Sequence, residues 1–146
     1  MPTMAALCRC KTYLSDAAKE GKQALTKAHR SRIHAKPTTQ ILASIDFDEA
    51  TRANFPQDAR WDYLLEVKQS NAPTKTIAVE FHSVEFTRVV NKRRDSLAIL
   101  TAACDPAPTI SEWILAPEGD TGGYAVTVRR KLNQLGIRTA GRSFEL

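Results

Sequence analysis

Long hydrophobic runs are missing from this sequence. None approaches the roughly 20 apolar residues that a membrane-spanning helix needs. The apolar stretch Met4–Cys8 is too short for a secretory leader, so none is expected. Cysteine is scarce: Cys8, Cys10 and Cys104 are an odd number, with no CxxC or His pair to complete a zinc site. The expectation is reduced thiols in a cytoplasmic protein. Glycine is sparse too. The one Gly-rich stretch, Glu118–Gly123, has neither GxGxxG nor Walker A spacing and reads as a connection, not a nucleotide cradle. Internal repeats and low-complexity tracts are absent. What is present is an ordinary globular composition, 42% apolar and 25% charged over 146 residues, enough for one domain with a proper core.

Charge is unevenly spread. Residues 1–40 hold eight cations (Arg9, Lys11, Lys19, Lys22, Lys27, Arg30, Arg32, Lys36) against Asp16 and Glu20, a net of +6. The whole chain is +5, which leaves −1 for residues 41–146. Ser15 or Asp16 can cap a helix that runs to Ala35 and is ended by Pro37. On it Lys19, Lys22, Lys27 and Arg30 recur near helical spacing beside a thin seam of Leu14, Ala18, Leu25 and Ala28. A solvated face, a phosphate-tracking surface and a docking surface for an acidic protein all fit such a stripe.

The most informative stretch is 60–92. Trp61, Tyr63, Leu65 and Val67 alternate with Asp62, Leu64, Glu66 and Lys68; later, Ile77, Val79 and Phe81 alternate with Ala78, Glu80 and His82. A period of two argues for strands. Ser70-Asn71-Ala72-Pro73 between them is turn chemistry, which makes a hairpin. Positions 62 and 80 sum to 142 and are symmetric about Asn71. Asp62 and Glu80 are therefore expected opposite each other, on the face away from the Trp61/Tyr63 row. Carboxylates facing each other at about 5 Å between Cβ atoms repel. They need a lysine, a shared proton or a cation, and a divalent metal meets that need.

Around the hairpin, Gln40–Ile45 reads as a short strand. Asp46-Phe47-Asp48-Glu49 then begins a helical turn toward Phe55. Helix capping explains these acids better than a calcium loop, whose glycine and distal glutamate are missing. One of Asp46, Asp48 and Glu49 is also an open candidate to complete a metal shell. Arg60 suits a phosphate or a salt bridge to Asp58 or Asp62, and Trp61 belongs to the core. From Val84 the period turns helical: Phe86, Val89, Val90, Leu97 and Leu100 should pack on the sheet, with Lys92 beside that stripe. Arg88, Arg93 and Arg94 share this helix, which Cys104-Asp105-Pro106 ends. Glu112–Ala116 is a strand. Tyr124–Leu135 is an amphipathic helix with Val128, Leu132 and Leu135 inward, Arg129, Arg130 and Lys131 outward, and Gly136 as its C-cap. Arg138–Leu146 suits an edge strand.

Asp62 early in one strand, Glu80-Phe81-His82 in the next, and the helix that follows resemble the PD-(D/E)XK nuclease-like superfamily. Its pattern is an acid near the start of one strand, Glu-x-Lys or Asp-x-Lys in the next strand, then a helix. This chain departs twice: no proline precedes Asp62, and His82 stands in the lysine's place. Lys92 matches members that carry the lysine on the following helix. The resemblance implies one α/β domain with a restriction-endonuclease-like core over residues 1–146. A basic helical segment would occupy 1–37, and a sheet core with two further helices 38–146. The mixed sheet, of about four strands, would run through Gln40–Ile45, Arg60–Lys68, Lys75–Ser83 and Ser111–Ala116.

The same resemblance implies a metal-dependent nuclease, hydrolysing phosphodiesters of DNA or RNA with Mg²⁺ or Mn²⁺. Asp62, Glu80 and the Phe81 carbonyl would hold the metal. Lys92 would orient water or neutralise charge, and His82 would act as general base or hydrogen-bond in the site. Nucleic acid would meet Lys19, Lys22, Lys27, Arg30, Arg60, Arg88 and Arg93. Two alternatives come from other classes. One is a catalytically inactive nuclease-like fold that binds nucleic acid or serves as a scaffold subunit. The other is a protein-interaction module using the basic N-terminal helix.

Overall fold

The computed structural model describes residues 4–81, 85–117 and 126–146. After a 3-10 turn (Ala5–Leu7) come α1 (Thr12–Ser15), β1 (Lys19–Glu20), α2 (Lys27–Arg30), β2 (Ile33–His34) and β3 (Thr39–Asp46). Then follow α3 (Phe47–Arg52), β4 (Tyr63–Gln69), β5 (Lys75–Glu80) and α4 (Phe86–Ala103). The remainder is β6 (Ile110–Leu115), α5 (Val126–Gln134), β7 (Ile137–Thr139) and β8 (Phe144–Glu145). No helix among the described residues is long and apolar enough to cross a membrane.

The sheet is mixed and has six strands, in the order β1-β3-β4-β5-β6-β7, where about four were expected. β3, β4 and β5 are antiparallel neighbours, and β6 and β7 join parallel to β5. The two additional strands are the edges β1 and β7, too short for a period of two to register. Only part of the expected Arg138–Leu146 strand joins this sheet, since β8 pairs instead with β2 in a parallel ribbon. The hairpin has the expected register: Tyr63↔Val79 through Val67↔Lys75 all sum to 142. Asn71 sits in the turn at φ +62°, a left-handed conformation that asparagine tolerates.

The expected helix from Ser15 to Ala35 does not form. Its apolar residues serve opposite sides of the sheet: Leu14 and Ala18 join the core that includes Val89 and Ile99 of α4, while Leu25 and Ile33 join the core on the other face. One helix cannot face both ways. Gly21, at φ +55°, instead lets the chain turn after β1, whose Lys19 pairs with Ser44 of β3. Residues 1–37 are therefore not a helical segment set apart from a 38–146 core, because β1 is part of the sheet.

β4 and β5 are buried on both faces. Tyr63, Leu65, Val67, Ile77, Val79 and Phe81 pack with Leu25, Ile33 and Phe144 on one side. Leu64 and Ala78 pack with α4 and with Leu132 of α5 on the other. Trp61 departs from the Tyr63 row expected for it. It precedes β4, lies in the α4-side core and meets Trp113 edge to face at 5.1 Å. The stripe of α4 also differs from expectation: Val89, Ser96, Ile99, Leu100 and Ala103 are buried, whereas Leu97 is 37% exposed. Lys92, at i+3 from Val89 and i−4 from Ser96, lies on this stripe and not beside it.

The cysteines overturn the reduced-thiol expectation. Cys10 and Cys104 form a disulfide at an antiparallel bridge, flanked by Lys11 N–H to Ala103 O (2.8 Å) and Asp105 N–H to Arg9 O (3.2 Å). Their separation of 94 residues hides this pairing from sequence reading. Cys8 is free and exposed.

Candidate active site

Asp62, Glu80 and Lys92 converge at the end of the sheet where β5 and β6 finish and β4 begins. Pairing of β4 with β5 ends at Tyr63↔Val79, so the next pair outward sets Asp62 across from Glu80. Both are withdrawn from water, with Asp62 7% and Glu80 0% exposed. Asp62 is held at both ends. Its carbonyl accepts the N–H of Phe47 (2.9 Å) and of Asp48 (3.3 Å) in the first turn of α3, and its Oδ2 accepts the Phe81 N–H at 3.0 Å. The Glu80 carbonyl accepts the Ala116 N–H at 2.8 Å, which ties it to the end of β6.

The Glu80 side chain has the least satisfied surroundings of the three. Its Oε2 receives the Lys92 ammonium at 2.5 Å, while its buried Oε1 has no hydrogen-bond partner. Burial is the main force pushing the Glu80 carboxyl up, to about 8. The Asp62 charge and a carboxyl–carboxyl hydrogen bond add to the rise, and Lys92 opposes it. Two acids and one lysine leave the cluster one positive charge short. Near neutral pH a proton held by the Glu80 carboxyl supplies it.

Lys92 reaches the acids because α4 crosses this end of the sheet. Ser96 fixes the crossing: its Oγ accepts the Trp61 N–H at 2.9 Å and donates to the Lys92 carbonyl at 2.7 Å. The residue before Asp62 is thereby bound to the helical turn that carries Lys92. Ser96 was not among the expected site residues. Its signal was a serine on the apolar stripe, one turn beyond the lysine.

The other expected residues lie elsewhere. His82 falls outside the described residues, as do Glu118–Gly123 and Tyr124. Asp46 caps α3 by accepting the Glu49 N–H at 3.0 Å. Burial raises its carboxyl first of all, with the charges of Asp48, Asp62 and Glu49 adding and the Glu49 N–H opposing. Asp48 is pulled the other way: burial would raise it, but Arg52 and Arg60 outweigh burial and lower it. Glu49 pairs with Arg52 at 3.1 Å.

Arg60 is a structural clamp, with Nε on Asp48 at 2.9 Å and Nη1 on the carbonyls of Phe55 and Asp58. Lys22 donates to the carbonyls of Arg30 and Ile33, and Arg30 donates to that of Leu25, so local backbone absorbs both. Lys19 and Lys27 are exposed; Lys19 stands on β1 and Lys27 shares only the single turn of α2 with Arg30, so the four form no continuous helical stripe. Arg93 lies over the Trp113 ring at 5.3 Å. Arg88 is exposed on the first turn of α4.

Among the described residues no three His, Cys, Asp or Glu side chains gather as a metal-holding group. The described residues of this cluster therefore offer no all-protein cage. Mg²⁺ does not require one, since one or two carboxylates commonly hold it while waters and substrate phosphate complete its shell. The unpartnered Glu80 Oε1, beside the Asp62 carboxylate, fits such an ion. No family model, curated protein or solved structure matches this chain.

Proposed function

We propose that this chain is a metal-dependent phosphodiesterase acting on nucleic acid, with a PD-(D/E)XK-like core. One observation carries the reading: a fully buried glutamate with an unpartnered oxygen, set between a second carboxylate and a lysine. The order of β3, β4, β5, α4 and β6 supports it in part: the resemblance implies helix, three strands, helix, strand, but here the leading helix does not form and α3 stands between the first two of these strands. The expected cytoplasmic setting fits less well with a disulfide, because reducing pools keep thiols open.

In this reading Asp62 and Glu80 hold Mg²⁺ or Mn²⁺, with the Phe81 carbonyl next in the chain as a further donor. The ion, when bound, lowers the pKa of a water and neutralises phosphate charge. Glu80 must first release the proton that burial and Asp62 hold on it. The Phe81 N–H keeps the Asp62 carboxylate turned toward Glu80. Lys92 places its ammonium 2.5 Å from Glu80, where it can answer charge building on the scissile phosphate. His82, next after Phe81, is the proposed general base or hydrogen-bond partner.

A second reading is a nuclease-like fold that binds nucleic acid or scaffolds a complex without cutting. The complete burial of Glu80, already satisfied on one oxygen by Lys92, favours it. The deciding experiment incubates the protein and Glu80→Gln with single- and double-stranded DNA and RNA, in Mg²⁺, Mn²⁺ or EDTA. Cleavage that needs metal and is lost in Glu80→Gln supports the enzyme. Absence of cleavage on all four substrates, or cleavage that survives in Glu80→Gln, rejects it.

A further inference from the structure

The topology brings a second group of charges to the same end of the sheet as the acids. β5 and β6 are parallel, so both finish there, and ligands of open α/β sheets gather at such carboxyl ends. The helices that follow them, α4 and α5, begin from that end and return along the sheet. Their early turns carry cations: Arg88 is the third residue of α4, and Arg129, Arg130 and Lys131 are the fourth to sixth of α5. The two helices are neighbours at this point, since the Lys131 ammonium sits 5.8 Å from the Phe86 ring at the start of α4. All four cations are exposed.

These cations differ from Lys22 and Arg30 of the N-terminal part, and from Arg60. Lys22, Arg30 and Arg60 are spent on carbonyls and carboxylates within the fold. Arg88, Arg129 and Arg130 make no ion pair or hydrogen bond with a described residue, and the one contact of Lys131 is with a ring. α5 itself contains no acid, and over residues 126–146 five cations (Arg129, Arg130, Lys131, Arg138, Arg142) face only Glu145. Unpaired cations clustered on one surface beside an acid site are what a polyanionic backbone recognises.

We propose that Arg129, Arg130 and Lys131 of α5, with Arg88 of α4, form the surface that seats the phosphate backbone of a nucleic acid across the carboxyl ends of β5 and β6. The inference rests on the phosphodiesterase reading for the chemistry of its ligand. It assigns to α5 the role that the sequence pattern suggested for the N-terminal lysines. Phosphate contacts of this kind set position and carry little sequence information.

The test is fluorescence anisotropy in Ca²⁺ or EDTA, where metal-dependent cutting does not interfere. The wild-type chain, the triple variant Arg129→Gln/Arg130→Gln/Lys131→Gln and the control Lys19→Gln/Lys27→Gln are titrated with duplex DNA, single-stranded DNA and RNA at several salt concentrations. Because the three side chains are exposed, far-UV circular dichroism should be unchanged, and a fourth variant, Arg130→Gln alone, guards against misfolding. The triple variant should lose roughly tenfold or more in affinity. Its log K against log[salt] slope should fall by about 3 on duplex DNA, near 0.9 per lost contact, and the single variant by about 1. The nucleic acid showing the largest slope change identifies the ligand. No binding by the wild-type chain, or an unchanged slope in the triple variant, overturns the proposal. A wild-type chain that binds through α5 but never cuts overturns the enzyme reading and leaves this one standing.

Discussion

Glu66 and Glu80 stand on neighbouring strands, point to the same face of the sheet and are almost equally buried, at 6% and 0% exposed. Their surroundings differ in kind. Glu66 accepts the Ala5 N–H at 2.8 Å and so satisfies the first turn of the N-terminal 3-10 helix, a need that would otherwise leave a donor unpaired. Glu80 faces another carboxylate, takes a lysine on one oxygen and leaves the other without a donor. Burial alone therefore does not set Glu80 apart as a candidate. The mark is burial combined with a partner set that one more positive charge would complete.

Substitutions at the two glutamates should separate them most sharply. Glu80→Gln is expected to lower metal-dependent hydrolysis by roughly 10²–10³-fold or more, read as initial rate on the preferred nucleic acid. Glu66→Gln, which keeps an acceptor for Ala5, should leave that rate within about threefold, since each tenfold needs about 1.4 kcal/mol at the transition state. Equal losses at both positions would erase the distinction. Lys92→Ala should approach Glu80→Gln in severity, because it removes the ammonium paired with Glu80. A Lys92→Ala enzyme of near wild-type rate would leave the lysine a purely structural role.

The pH dependence of stability sharpens the contrast further. Glu80 titrates near 8 when folded and near 4.5 when unfolded, so between these values the native state holds more protons than the unfolded one. Its contribution is fully present below about pH 4.5 and is lost as pH rises toward 8. Thermal denaturation without divalent metal should show Tm falling across this window, and Glu80→Gln should flatten the slope. Mg²⁺ competes with the same proton, so its stabilising effect should be larger at pH 8 than at pH 6. A Mg²⁺ effect independent of pH would argue against binding at this acid pair. Asp62→Asn should raise Tm modestly in EDTA at pH 8, because it removes the like-charge neighbour yet keeps an acceptor for the Phe81 N–H. At the smallest end, Ser96→Ala should destabilise by about 1–3 kcal/mol in urea denaturation, the penalty for leaving the buried Trp61 N–H unpaired.

The sequence made the hairpin legible because its signals are local. Alternation, turn residues and symmetry about Asn71 set the register, and register alone brought Asp62 opposite Glu80. The helical phase set Lys92 beside the stripe of α4 when it lies on it, and its approach to the acids was suggested by the resemblance alone. Non-local facts were not legible. Leu14 and Leu25 read as one seam until the sheet was in place to send them to opposite faces. Trp61 kept step with Tyr63 in the sequence, yet β4 begins only at Tyr63, so the alternation does not extend back to it. Leu97 fits an i, i+3, i+4 count from Val90 but lies off the stripe centred on Val89, Ser96 and Leu100. The lysine stripe at 19–30 was real as spacing, but its lysines sit on a strand, a turn and a single helical turn.

The Cys10–Cys104 bond divides the chain into a covalent ring and an open tail. Asp62, Glu80, Lys92 and Ser96 all fall inside the ring, whereas β6, α5 and β7 fall in the tail. A protease nick anywhere in residues 11–103 would leave both fragments joined and the acids still tethered to their lysine. A nick after Cys104 would sever the covalent link to the segment that carries Arg129, Arg130 and Lys131, leaving it held only by its pairing and packing. In an oxidised molecule, therefore, the acid pair and its lysine lie in a closed circle, whereas the cations of α5 hang on a single open strand of chain.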